Sequence, residues 1–164
     1  MSDIADIVSR EVPAINRYLE SATETLNPMV QPVVRHVLLA GGKRLRPLLT
    51  ILTARAMGYQ GDDVYPLACS LEFLHSATLL HDDIVDGAKL RRGRESAHVR
   101  FGSTHTILAG DVLLALANRL VAEYDNPELT KLLSEALLQT ATGEILEIAH
   151  LRDVDLPLDT YFSI

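Results

Sequence analysis

Residues 72–86 read EFLHSATLLHDDIVD, and Leu90-Arg91-Arg92-Gly93 follows almost at once. The run lacks the alternation of a strand. It is apolar on several sides, which predicts a helix from about Val64 to Asp86 buried at the centre of the fold. Yet its last turn holds Asp82, Asp83 and Asp86. Carboxylates about 4 Å apart repel by roughly 4 kcal/mol at an effective dielectric of about 20. Negative charge at a helix C-terminus also opposes the helix dipole, so a merely solvated acidic turn is the weaker reading. Hard divalent cations offset such clusters, and magnesium shares carboxylate with phosphate oxygens. Guanidinium groups suit phosphate, so Arg91 and Arg92 point the same way. Together these residues predict a magnesium-bridged phosphate site.

Helical spacing arranges the cluster. Asp82 and Asp86, four apart, share a face. Asp83 is turned by about 100° and adds a second ligand direction. His75 lies two turns before Asp82 on the same face, with Thr78 between them, so a polar row leads to the acids.

Outward from this helix the pattern stays helical. Apolar spacing predicts a first helix over about Ile4 to Leu26, kinked or broken at Pro13. Asn27-Pro28 marks a turn. A second helix runs over about Met29 to Leu39 and stops at Ala40-Gly41-Gly42. A third is expected from Pro47 to Met57, and Asp62 or Asp63 can cap the long helix that follows. Residues 87–103 read as a basic loop. Further helices are expected over about Thr104 to Tyr124, from Asn126-Pro127 to His150, and from Pro157 to the last residue, Ile164. The fold class is all-α, an antiparallel helical bundle.

Composition bounds the rest. The 164 residues suffice for one domain with a real core, and 48% apolar content excludes a disordered chain. A net charge of −7 argues against a nucleic-acid surface and leaves basic clusters as local features. A single cysteine, Cys69, excludes an internal disulfide framework and reads as a small core residue in a reducing compartment. The longest apolar run, Ile107 to Val121, is broken by Asp111, Asn118 and Arg119, so no transmembrane segment is expected. With no signal peptide evident, a cytoplasmic protein is expected. His36, His98, His105 and His150 read as surface or capping residues.

A second basic motif is Gly41-Gly42-Lys43-Arg44-Leu45-Arg46-Pro47. Two glycines permit close backbone approach, and three cations precede a helix start, which suits an anion. Its spacing is not that of a Walker loop. Alone it could be a solvated turn; beside the acidic cluster and the Arg-Arg pair it reads as a phosphate site.

The chain resembles the trans-isoprenyl (polyprenyl) diphosphate synthases, long-chain type. The resemblance rests on GGKRLRP at 41–47, EFLHSATLLHDDIVD at 72–86, LRRG at 90–93, GD at 110–111, GE at 143–144 and LDTYFSI at 158–164. It implies an isoprenoid synthase-like bundle, magnesium dependence, isopentenyl diphosphate and an allylic diphosphate primer as substrates, and a homodimer. Asp82, Asp83 and Asp86 match the first aspartate-rich motif, which holds magnesium against the allylic diphosphate. Arg91 matches the arginine contacting that diphosphate. Lys43, Arg46, His75 and Arg92 match residues binding the diphosphate of isopentenyl diphosphate, while Arg44 is left open between packing and binding. Glu147 stands where the family commonly has Gln.

Bulky aromatics near Ala77 and Thr78, beside Leu74, shorten the product in this family. Small residues here imply a product longer than farnesyl diphosphate. The family also carries a second aspartate-rich motif beyond the equivalent of Ile164. The expectation is therefore that residues 1–164 form the N-terminal portion of one polyprenyl synthase domain, inactive or nearly so alone. The alternative is a non-catalytic helical subunit or scaffold that pairs with a complete synthase. A terpene cyclase shares the aspartate motif but is disfavoured by GGKRLRP.

Overall fold

Proline and glycine set most helix boundaries. A computed structural model describes residues 4–164. Its helices are α1 (Ile4–Glu24), α2 (Gln31–Leu38), α3 (Leu45–Ala56), α4 (Val64–Val85), α5 (Ala97–Phe101), α6 (Ser103–Ala122), α7 (Pro127–Ala149) and α8 (Leu158–Ser163). The chain divides into two units, one reaching to Glu123 and one from Tyr124 to Ile164.

Helix α4 ends where its hydrogen bonds fold back. The Ala88 amide donates to the Asp83 carbonyl and the Gly87 amide to Ile84, at 3.0 and 3.2 Å. This is a Schellman closure, and it needs the positive φ of 62° that Gly87 adopts. Helix α3 ends the same way at Gly58, with Tyr59 donating to Ala54 at 2.9 Å.

Three local expectations are corrected. Helix α1 runs through Pro13 without a break. Pro13 lies on the exposed side, where water can serve the carbonyl that the missing N–H leaves open. Helix α3 starts at Leu45, two residues before Pro47, because proline is tolerated anywhere in a first turn that needs no donor. Asp63 occupies the N-cap position of α4 but makes no capping hydrogen bond with its side chain.

The basic loop also contains structure. Leu90–Arg91 (β1) and Arg94–Glu95 (β2) pair antiparallel, with Leu90 opposite Glu95 and Arg91 opposite Arg94. Arg92 and Gly93 make the two-residue turn with φ of 53° and 75°. Positive φ at both positions is the signature of a type I′ hairpin. His36 is not a free surface histidine: its Nε2 donates to the Glu95 carbonyl at 2.7 Å, and its ring meets Phe101 edge-on.

The core of the first unit joins α1, α2, α3, α4 and α6 through Ile15, Leu38, Ile51, Phe73, Leu80 and Leu113 among others. The Tyr65 hydroxyl donates to Glu11 at 2.6 Å and ties α4 to α1. Cys69 is fully buried, and desolvation pushes its thiol up to about 12, so it behaves as a core residue. Helix α6 is long and apolar enough to cross a bilayer by length and composition. Its buried residues Thr106, Ala109, Leu113, Ala117 and Leu120 instead face the protein core.

Gly110 of α6 lies under the His81 ring of α4, where a Cβ would collide with Nε2. That nitrogen donates to the Ile107 carbonyl at 3.1 Å and lies 3.6 Å from Asp111 Oδ1. Gly110→Ala should therefore displace His81 and cost about 1–3 kcal/mol by overpacking. In a double-mutant cycle by urea unfolding, His81→Ala should recover much of that loss; additive losses would show that the two residues do not meet.

Candidate functional site

The basic loop is built around one buried side chain. Arg44 is 6% exposed and adopts a left-handed backbone with φ of 51°. Its Nε donates to Asn16 Oδ1 (2.9 Å), its Nη1 to Glu72 Oε1 (2.9 Å) and its Nη2 to the Leu38 carbonyl (2.6 Å). Arg44 is thus held by three protein partners and still borders the cleft described next, which favours a packing role for it. Its neighbours Lys43 and Arg46 are exposed. They line an open cleft of about 620 Å³ together with Gly41, Gly42, His75 and Arg92.

The hairpin closes this cleft. Arg92 Nη1 donates to the Gly41 carbonyl. A Cβ on Gly42 would stand 3.1 Å from the same nitrogen, so the second glycine leaves room for the guanidinium. Four of the five residues expected at a diphosphate therefore meet in one place: Lys43, Arg46, His75 and Arg92. Burial first, then Arg46, lowers the His75 pKa below its usual value, with Arg92 and Arg91 adding to the effect. The shift favours the neutral imidazole, which still offers one N–H donor.

The fifth residue, Arg91, sits on the far side with the acids. Its Nε donates to Asp83 Oδ1 at 2.8 Å, and Nη2 approaches the same oxygen at 2.7 Å. Asp83 is 2% exposed. It faces inward, a different direction from Asp82 and Asp86, as the helical step implies. Among the described residues, no group of three or more His, Cys, Asp or Glu converges as a metal cluster. The reason is the 100° helical step: with Asp82 and Asp86 outward, Asp83 points to the core and needs a cation of its own.

Asp82 and Asp86 remain as an outward pair one turn apart. Burial, then the charge of Asp86, raises the Asp82 pKa, while Arg91 and His81 oppose the rise. Such a pair fits magnesium, which is commonly held by one or two carboxylates together with substrate phosphates.

Leu74, Ala77 and Thr78 lie one to two turns before the acids. Ala77 is fully buried in the core, and Leu74 and Thr78 are half-buried. The Thr78 hydroxyl donates to the His75 carbonyl at 2.9 Å. The residues missed from the sequence are Asn16 and Glu72. Glu72 was detectable in principle, as a carboxylate within a largely apolar helix; Asn16 carries no comparable signal.

Two outcomes follow from the acid pair. A carboxyl whose pKa is raised on folding opposes stability as pH rises through and above the unfolded value. Without divalent cations, Asp82→Asn should therefore raise the melting temperature at pH 7 and change it little at pH 3. Magnesium should raise the wild-type melting temperature at pH 7 but not that of Asp82→Asn/Asp86→Asn. Equal shifts in both proteins would remove the pair as the cation site.

The comparisons agree with this geometry. The polyprenyl synthetase family model matches residues 27–164. The chain is 32% identical to octaprenyl diphosphate synthase of Escherichia coli K12, covering 100% of this chain and 51% of that protein. It is 34% identical to heptaprenyl diphosphate synthase component 2 of Geobacillus stearothermophilus, over 94% of this chain and 48% of that one. Among solved structures, a polyprenyl synthase of Caulobacter crescentus, complexed with calcium and isoprenyl diphosphate, superposes with a TM-score of 0.87 at 36% identity. That match covers 99% of this chain and 51% of the other. The chain thus spans about half the length of these relatives. On motif, fold and family match, it belongs to the polyprenyl synthetase family.

Proposed function

We propose that this sequence forms part of a cytoplasmic, magnesium-dependent trans-polyprenyl diphosphate synthase. The enzyme condenses isopentenyl diphosphate with an allylic diphosphate to give a medium- or long-chain all-trans product. The observation that carries the reading is that α4 borders a cationic cleft at one point and carries an acid pair at another. His75, at the cationic cleft, and Asp82, in the acid pair, are seven residues apart, about 10 Å of helix rise. That spacing suits two diphosphates side by side, one on cations and one on a carboxylate-held metal.

Each residue then has a task. Lys43, Arg46 and Arg92 hold the diphosphate of isopentenyl diphosphate, and neutral His75 donates a hydrogen bond there without adding charge. Asp82 and Asp86 would hold magnesium, which would supply positive charge for the leaving allylic diphosphate. Arg91, oriented by Asp83, keeps Nη1 for the same leaving group. The isopentenyl double bond attacks the allylic carbon, and loss of a proton leaves a chain one isoprene unit longer. The small side chain of Ala77 supports a hydrocarbon tail that passes the first turn of α4.

The chain spans about half of its relatives, so turnover is assigned to the longer protein, working as a homodimer. A second reading, a non-catalytic subunit paired with a complete synthase, draws support from α7, where Leu132, Leu138 and Ile145 are each more than 60% exposed.

The test is incubation of the longer protein with magnesium, isopentenyl diphosphate and allylic primers of graded length, followed by product chromatography. Products longer than farnesyl diphosphate are expected, and Ala77→Phe should shorten them. No condensation by a protein carrying both aspartate-rich motifs would sink the enzyme reading; unchanged product length in Ala77→Phe would remove the tail argument alone.

A further inference from the structure

We infer that Arg44 and Glu72, with Asn16, act as a positioning set for the phosphate-binding cations. The inference rests on the cleft being a diphosphate site, as proposed above. Arg44 spends three of its five N–H donors on α1, on the end of α2 and on α4, from a side chain that is 6% exposed. It nevertheless stands inside the cationic motif, between Lys43 and Arg46, in a left-handed conformation that a non-glycine residue rarely adopts. Lys43 and Arg46 are exposed and make no ion pair among the described residues. What fixes their direction is the backbone between them, and what fixes that backbone is the Arg44 fork.

The partner carboxylate matters as much as the arginine. Glu72 is buried on α4, one turn before His75. The pair therefore ties the loop that bears Lys43 and Arg46 to the helix that bears the third member of the cleft. An apolar pair of similar volume would hold the fold equally well, since buried ion pairs are commonly neutral for stability when both members are replaced. It would not reproduce three directed hydrogen bonds from one planar group.

The experiment uses the purified 164-residue chain, with inorganic diphosphate and magnesium as the probe, followed by calorimetry, and thermal unfolding measured in parallel. Arg44→Met/Glu72→Met should melt near the wild type and bind diphosphate about tenfold more weakly, the order expected for misplaced ligands. Asn16→Ala, an exposed change that leaves the ion pair intact, should weaken binding by a smaller factor with no loss of melting temperature. It keeps the inference testable if the double variant does not fold. Wild-type affinity in either folded variant overturns the positioning role. Lys43→Ala/Arg46→Ala reports on the cleft itself: if it binds like the wild type, or if the wild type does not bind, the cleft reading fails and the positioning role falls with it.

Discussion

Two buried carboxylates on one helix constrain the rest of the first unit. Helix α4 lies in the core, yet Glu72 and Asp83 stand on its inward faces at 7% and 2% exposure. A buried carboxylate left without a partner costs several kcal/mol, more than most single contacts return. Each is met by an arginine from outside the helix, Glu72 by Arg44 and Asp83 by Arg91. The segments that deliver those arginines therefore have little freedom in how they run. The loop after α2 must turn left-handed at Arg44, and residues 90–95 must double back within two residues so that Arg91 reaches Asp83.

Satisfying the buried pairs also sorts the remaining charges. With Arg44 and Arg91 paired to carboxylates, Lys43, Arg46 and Arg92 are the cleft cations without an ion pair among the described residues. With Glu72 and Asp83 consumed, Asp82 and Asp86 are left together at the end of α4. A chain of net charge −7 thus keeps a locally cationic pocket. The Arg92 bond to Gly41 joins the two basic segments, so the cleft has a wall from each.

Element type was legible from the sequence, because proline, glycine and 3.6-residue spacing act locally. Helix α4 was read to within one residue of its observed end, and α7 starts where Asn126-Pro127 places it, with Asn126 accepting from the Glu128 amide at 3.1 Å. The cationic residues of the cleft were legible through family motifs. What was not legible depends on neighbours. Which of three aspartates faces the core follows from how α4 is rolled against the other helices, and spacing alone cannot supply that angle. The hairpin was missed because Arg92, not glycine or asparagine, takes the first left-handed position. Arg44 was undecided because its three acceptors come from residues 16, 38 and 72, far apart in sequence.

The GD pair of α6 shows the same logic at the acidic end. Gly110 is buried against the His81 ring, and Asp111 lies within reach of its nitrogen. His81 directly precedes Asp82, so the α4–α6 packing sets the backbone from which the first carboxylate projects. The acid pair is thus held by core packing, while Lys43 and Arg46 project into open solvent from an anchored turn. The two ends are thus held differently, the acids through helix packing and the cations through a turn anchored by Arg44. That division suits the two tasks proposed for these ends: magnesium needs near-ideal oxygen geometry, whereas a lysine ammonium acts as a point charge on a flexible stem.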